Sequence, residues 1–269
     1  IRTMAAVLLA CDLPAPDRCS LFVQSQVPQH AELAWILNSL TPMGELERMT
    51  QFKDKSRSNT KNINVGLFTY PVLQTADILL YKGTRVPVGE DQVQHIELAR
   101  IITRKFNHRY GEYFPEPKEV VTQGARIMGL DGKTKMSKSL NNHIDLLDSE
   151  KAIRKKLQTA YTDPDRLRLS DPGNPDICNL YTLHKHLSTE EECEWARTGC
   201  KEGTIGCGHC KKLLGDNLVK FVQPIQEKTN DWLSRPGDLD DILEQGRERA
   251  TRMAKETMAG VRELMGLFV

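Results

Sequence analysis

The sequence lacks an excess of either charge: 37 lysines and arginines face 36 aspartates and glutamates in 269 residues. Whole-chain charge therefore does not advertise a polyanionic partner, and any nucleic-acid contact must come from a local patch. It lacks an apolar run long enough to cross a bilayer. Residues 4–11 are apolar but too short, and they are expected to form a buried helix. No secretory leader is visible, and there are no internal repeats or low-complexity tracts. An evenly spaced, even-numbered cysteine set is also missing. Of seven cysteines, Cys178, Cys193, Cys200, Cys207 and Cys210 crowd into one stretch. That pattern argues against a secreted disulfide framework and for a reducing, cytoplasmic interior in which the cluster holds a metal. The chain also lacks an initiator Met. Ile1-Arg2-Thr3-Met4 runs straight into the apolar helix, and the expectation is a chain that has lost an N-terminal piece.

What is present suits a globular protein. A hydrophobic fraction of 39% and a charged fraction of 27% are ordinary, and the length suffices for one large domain or two moderate ones. Up to about residue 140 helix and strand patterns alternate. Residues 21–23 are expected as a short buried strand and residues 30–40 as a helix, with Leu33, Ile36, Leu37 and Leu40 at helical spacing. Residues 51–64 are expected as a polar mobile loop, 70–81 as an apolar helix interrupted by Asp77, 86–88 as a strand end and 90–106 as an amphipathic helix. This order argues for a mostly parallel sheet of Rossmann type. Beyond about residue 145 strand signals stop. Residues 149–160, with Ser149 as N-cap, 216–232 and 238–268 read as helices, and Pro224 is expected to kink or restart the second of these. The plan is a partial α/β catalytic domain over 1–140 and an all-helical domain over 141–269, whose last helix can pack back on the first.

Lys135-Met136-Ser137-Lys138-Ser139 follows Gly132-Lys133-Thr134. Two lysines separated by small hydroxyl residues on a glycine-bearing loop suit a polyphosphate, because ammonium groups are mobile point charges and hydroxyls and backbone N–H groups add hydrogen bonds. Lysines that reach a departing pyrophosphate only in the transition state would lower the barrier. The bland alternative is a solvated basic loop. Cys207-Gly208-His209-Cys210, with Cys200 and Cys178 upstream, offers four soft thiolates for zinc or an iron–sulfur cluster. Arg197, Lys201, Lys211 and Lys212 are expected to lower the thiol pKa values and favour ligation. Lys151, Arg154, Lys155, Lys156, Arg166 and Arg168 make one local basic stretch, and Lys201, Lys211, Lys212 and Lys220 another.

The pentapeptide matches the KMSKS signature of class I aminoacyl-tRNA synthetases letter for letter. Residues 124–128, Gly-Ala-Arg-Ile-Met, sit upstream where that family leads into the adenine side of its ATP site. Three more segments resemble the tryptophanyl-tRNA synthetases: residues 44–53 (GELERMTQFK), 69–81 (TYPVLQTADILLY) and 86–98 (VPVGEDQVQHIEL). The resemblance runs the length of the chain. It implies ATP-dependent activation of tryptophan, with Mg²⁺ accompanying ATP, and its transfer to tRNA(Trp) by a homodimer that does not enter the membrane. Tyrosyl enzymes are the near competitor. A non-catalytic tRNA-binding protein with a metal-bearing helical domain is the alternative of a different class.

The residues carried over are these. Lys135 and Lys138 would be catalytic, acting on the phosphates with Ser137. Tyr70, Gln51 and Gln92 would hold the amino and carboxylate groups of tryptophan. Val86 and Val88 would line the indole pocket, with Gln74 one turn before Asp77 on the same face. Gly89 and Asp91 would meet the ATP ribose, Met128 would lie on the adenine side, and Lys55 would reach the phosphates. Some bacterial members carry a [4Fe–4S] cluster in this region, which implies Cys178, Cys200, Cys207 and Cys210 as ligands, with zinc as the runner-up. The last three match that spacing, and the gap from Cys178 to Cys200 is one residue shorter.

Asp77 has an independent argument. A carboxylate in an apolar helix needs a partner, and indole presents one N–H donor and no acceptor, so an acceptor-only group matches it. Such a site would reject phenylalanine but not, by that bond alone, tyrosine. The family also uses a HIGH-type motif for the ATP phosphates. Neither Gln94-His95-Ile96-Glu97 nor Asn142-His143-Ile144-Asp145 continues to it. In the family that motif lies N-terminal to the part beginning here at Ile1, and the expectation is that these 269 residues alone form no adenylate.

Overall fold

The structure, a computed structural model, describes residues 1–12, 19–58, 63–121, 127–138, 140–163, 166 and 168–267. The chain divides into two compact units. The first holds Ile1, residues 14–123 and residues 237–269; the second holds residues 2–13 and 124–236. In chain order the helices are α1 (Arg2–Ala10), α2 (Gln29–Leu40), α3 (Met43–Glu47), α4 (Thr50–Ser58), α5 (Val65–Leu79), α6 (Val93–Tyr110), α7 (Glu150–Thr159), α8 (Asn179–Leu187), α9 (Glu190–Lys201), α10 (Cys207–Ser234) and α11 (Pro236–Leu264). The strands are β1 (Arg85–Val88) and β2 (Lys118–Val121).

The first unit is built on β1–α6–β2. The strands pair in parallel, Arg85 opposite Lys118 through Val88 opposite Val121. Parallel neighbours require a crossover, which α6 supplies. Along α6, Ile96, Leu98, Ala99, Ile102 and Phe106 are buried, a spacing that keeps one face inward. They share a core with Leu33 and Leu37 of α2, Val72, Ala76 and Leu79 of α5, and Ala250, Ala254, Met258 and Val261 of α11. Helix α11 comes close because its contact residues are small. A Cβ on Gly246 would stand 2.0 Å from the Leu21 carbonyl oxygen, so only glycine fits there. The side chain of Asn64 caps α5 by accepting from Leu67 N.

Two local expectations change. Residues 21–23 do not form a strand. Val23 is extended (φ −90°, ψ 113°) but leads into a 3₁₀ turn at Gln24–Gln26, and the ladder among the described residues consists of β1 and β2. An extended segment becomes a strand only when a neighbour takes its hydrogen bonds. Residues 50–58 are helix α4, not a loop. Phe52 anchors this polar segment by an edge-on contact with Phe68 at 5.0 Å between centroids. Gln94 fixes its start, its Oε1 accepting from Thr50 N (2.9 Å) and Thr50 Oγ1 (2.8 Å).

The second unit is helical among its described residues, apart from one isolated bridge between Met128 and Lys135. Helices α7, α8 and α10 enclose Ile153, Leu157, Leu180, Leu183, Leu214, Leu218 and Val222, and α1 packs along α10. Ser149 caps α7, and Thr189 with Glu192 forms a reciprocal capping box on α9. Helix α10 continues through Pro224 without restarting. Proline removes one internal bond, and buried Val222 and Thr229 on either side hold the helix in place. The expected fold class, a parallel α/β unit and a helical unit, is the one observed, while residues 2–13 and 124–140 fall in the helical unit and 237–269 in the first.

Candidate active site

In the first unit, Tyr70, Gln74 and Asp77 follow i, i+4, i+7 along α5 and share one face. The opposite face buries Val72, Ala76 and Leu79. Asp77 stands in the last turn with its side chain 35% exposed. Its carboxylate is held from outside the helix. Gln24 Nε2 donates to both oxygens at 2.9 Å, and His30 Nδ1 lies 2.6 Å from Oδ1. His30 is buried, and its Nε2 meets the Tyr81 hydroxyl at 2.8 Å. Burial, and secondarily the Asp77 charge, push the Tyr81 phenol up to about 12. The hydroxyl therefore stays protonated. As a carboxylate Asp77 can only accept, so Nδ1 of His30 carries the proton between them.

The other carried-over residues of this unit lie nearby in sequence. The Tyr70 hydroxyl is 2.9 Å from Nε2 of buried His95, and burial raises its pKa. Val86 and Val88 alternate inward on β1, with Arg85 and Pro87 outward. Asp91 does not open α6 as an N-cap. It sits inside a 3₁₀ turn, Glu90–Gln92, entered from Gly89, and accepts from Gln92 Nε2 at 3.0 Å. Gln51 is half-buried on α4. The side chain of Lys55, the residues 124–126 and Ser139 lie outside the described residues.

The second unit carries the lysine loop, organised by two residues that the sequence reading passed over. Asp131 Oδ1 accepts from the backbone of Lys133 (3.0 Å) and Thr134 (3.1 Å), and Oδ2 accepts from Thr134 Oγ1 (2.6 Å) and Asn142 Nδ2 (2.9 Å). These donors, led by the Thr134 hydroxyl, hold its carboxyl far below the usual carboxylate range. Buried Asn142 accepts from Ser137 N at 2.7 Å and donates to Thr134 Oγ1 (2.8 Å) and Lys135 O (3.2 Å). A Cβ on Gly129 would stand 2.0 Å from Asn142 Nδ2, which is why the segment beside it needs a glycine. Gly129 N donates to Thr134 O and Met136 N to Ile127 O, so the loop is stitched back onto the segment containing Met128. Lys133, Lys135 and Lys138 point to solvent, and Lys138 Nζ is 3.9 Å from Asp145 Oδ2.

Also in the second unit, Cys178, Cys200, Cys207 and Cys210 line one cavity with Arg166 and Asp163. Cys178 stands immediately before α8, Cys200 is in α9, and Cys207 and Cys210 are in the first turn of α10. The expected basic neighbours do not govern the thiols of Cys200 and Cys210. Burial pushes Cys200 up and Cys210 to about 12, and the cation that opposes the shift is Arg166. Its Nη1 lies 3.8 Å from both Cys200 Sγ and Cys207 Sγ. Lys211 instead donates to Gln158 O and Ala160 O. Among the described residues no group of three or more histidine, cysteine, aspartate or glutamate side chains is drawn together as for a metal ion. A single ion gathers thiolates to about 2.3 Å, and a multi-iron cluster is a larger body. Of the basic stretches, Arg154 pairs with Glu150 and Asp216, and Lys156 with Asp148. Lys151, Lys155, Arg168, Lys212 and Lys220 are exposed. Among the described residues no helix is long and apolar enough to cross a membrane.

Residues 1–223 match the family described as tRNA synthetases class I (W and Y). The chain is 48% identical over 252 residues to the tryptophan–tRNA ligase of Deinococcus radiodurans, covering 93% of this chain and 76% of that protein. It is 43% identical over 269 residues to that of Thermotoga maritima, covering 99% and 81%. Among solved structures, tryptophanyl-tRNA synthetase from Campylobacter jejuni, complexed with ADP and tryptophan, superposes with a TM-score of 0.86 at 37% identity. That match covers 99% of this chain and 82% of that one. Tyrosyl-tRNA synthetase from Aeropyrum pernix shares the fold, with a TM-score of 0.61 at 19% identity.

Proposed function

The chain belongs to the class I tRNA synthetases of the tryptophan and tyrosine group, and from that premise we propose how its residues divide the work of a tryptophan–tRNA ligase. The tryptophan carboxylate attacks the α-phosphate of ATP, and pyrophosphate leaves with the bonding electrons. A terminal ribose hydroxyl of tRNA(Trp) then attacks the activated carbonyl, and AMP leaves. Asp77 accepts the indole N–H. Tyr70, Gln51 and Gln92 take the amino and carboxylate groups, while Gln74, Val86 and Val88 complete the side-chain pocket. Lys135 and Lys138, with Ser137, neutralise the charge that builds on pyrophosphate. Gly89 and Asp91 meet the ribose, Met128 the adenine, and Lys55 the phosphates, with Mg²⁺ accompanying ATP.

What carries tryptophan over tyrosine is the 43–48% identity to tryptophan–tRNA ligases; the Asp77 carboxylate, fixed by two donors near the end of α5, supports it by supplying an acceptor for the indole N–H. Thermal-shift titration tests it. Tryptophan, and not tyrosine, is expected to raise the melting temperature; the reverse makes the chain a tyrosyl enzyme.

Four sulfur donors around one cavity fit an iron–sulfur group better than a hard cation. Cys178, Cys200, Cys207 and Cys210 are proposed to hold a [4Fe–4S] cluster, with zinc as the competing occupant. The cluster would supply a charged cross-link between α8, α9 and α10 and a one-electron redox centre. Absorption near about 400 nm, the visible band expected of such a cluster, is the expected result; a colourless protein with stoichiometric zinc refutes it. The exposed Lys151, Lys155, Arg168, Lys212 and Lys220 are proposed to meet tRNA phosphates. A cytoplasmic homodimer is the proposed working state.

A further inference from the structure

We infer that His30 and Gln24 are the positioning residues that set tryptophan specificity, by orienting Asp77 so that its unused acceptor meets the indole N–H. The inference rests on the reading of Asp77 as the indole acceptor and deepens it. A carboxylate offers about four lone-pair sites. Three contacts occupy Asp77: His30 and Gln24 on Oδ1, and Gln24 again on Oδ2. The count leaves capacity on Oδ2, which one N–H donor can fill.

Stability alone does not explain this cluster. Asp77 sits in the last turn of α5, where the helix dipole is negative and disfavours an anion. An aspartate terminal torsion is broad and nearly free, so an unheld carboxylate at 35% exposure would turn among water-bonded orientations. Gln24 and His30 stop that rotation, and they come from 53 and 47 residues away. The His30 ring is itself fixed. Its centroid lies 6.0 Å from the Phe22 ring and 5.4 Å from the Tyr81 ring, and Nε2 is engaged by the Tyr81 hydroxyl. A buried imidazole tied at both nitrogens has one orientation to give, and it passes that orientation to Asp77. A site whose acceptor is already aimed penalises any ligand lacking the donor, because the acceptor is then left unpaired.

The experiment is calorimetric titration of the 269-residue chain with L-tryptophan and with 3-(benzothiophen-3-yl)-L-alanine, in which sulfur replaces the N–H at nearly the same shape. The wild-type chain is expected to prefer tryptophan at least tenfold. His30→Leu and Gln24→Met are expected to cut that preference about tenfold by weakening tryptophan, while the analogue's Kd moves less than twofold. His30→Asn, which keeps a donor near the place of Nδ1, is expected to restore most of the preference. Gln24 is exposed, so Gln24→Met remains informative should His30→Leu fail to fold. An unchanged preference in Gln24→Met and His30→Leu, with preference lost in Asp77→Ala, overturns the inference and leaves the reading of Asp77 standing. Equal weakening of both ligands also overturns it, because that marks His30 as packing only. An Asp77→Ala variant that keeps the preference overturns the reading of Asp77 and the inference with it.

Discussion

The surroundings of Asp77 and the lysine loop handle charge in opposite ways. Asp77 is held by side chains from two distant segments, and one of them, His30, is buried and locked by its own neighbours. The loop is organised by contacts within residues 127–142, and its lysines project into solvent. A group that discriminates between substrates gains by being rigid before the substrate arrives, since misalignment is then penalised. A group that stabilises a leaving pyrophosphate gains by engaging only as charge develops, which suits lysines that are exposed on a hydrogen-bonded frame.

That contrast can be broken at the loop. In a synthetase that carries this chain together with a HIGH-type segment, Lys138→Ala is expected to slow exchange between pyrophosphate and ATP about 10²–10³-fold. The Kd for tryptophan should not move. A parallel loss of tryptophan affinity would mean that the two regions are not separate devices. Asn142→Ala removes a buried amide that accepts from Ser137 N and donates to Asp131, Thr134 and Lys135. It is expected to cost about 1–3 kcal/mol in urea unfolding and to speed hydrogen exchange at Ser137. Unchanged exchange would show that the loop needs no clamp.

The smallest effect expected is a pH shift. Asp131 is held below its usual range in the folded loop, so its contribution is present above the unfolded carboxylate pKa. It is lost only as pH falls through the lower folded value. Thr134→Val removes the leading donor and should move the Asp131 carboxyl signal, followed by NMR, back toward the ordinary carboxylate range. No movement would mean that the backbone donors of Lys133 and Thr134 set the shift.

The two regions were unequally legible in the sequence. The loop announces itself because its chemistry is contiguous, Lys135 through Ser139, although Asp131 and Asn142 carry no signal beyond an Asp-Gly turn and a neighbouring amide. Asp77 is legible as an acid among apolar residues. Its holders are not, because Gln24 and His30 join it only through tertiary packing, and a glutamine or histidine at those distances has no periodic signature. The α/β-then-helical plan followed from hydrophobic spacing. The misses had local causes. Residues 21–23 have strand composition without a ladder partner among the described residues. The polar α4 depends on one aromatic anchor and on Gln94 from α6. For Cys200 and Cys210, sequence proximity suggested depressed thiols, whereas burial outweighs the nearby cations, and among the described residues Arg166 is the cation that lines the cavity.

The central claim is that the carboxylate at residue 77 accepts the indole N–H of tryptophan, and one comparison tests it directly: L-tryptophan titrated calorimetrically into the wild-type chain and into Asp77→Ala, which removes the acceptor that an asparagine would keep. A hydrogen bond to a charged acceptor is worth about 1.5–3 kcal/mol, so the variant is expected to bind tryptophan at least tenfold more weakly. Equal affinity for the two proteins would contradict the assignment of Asp77 as the indole acceptor.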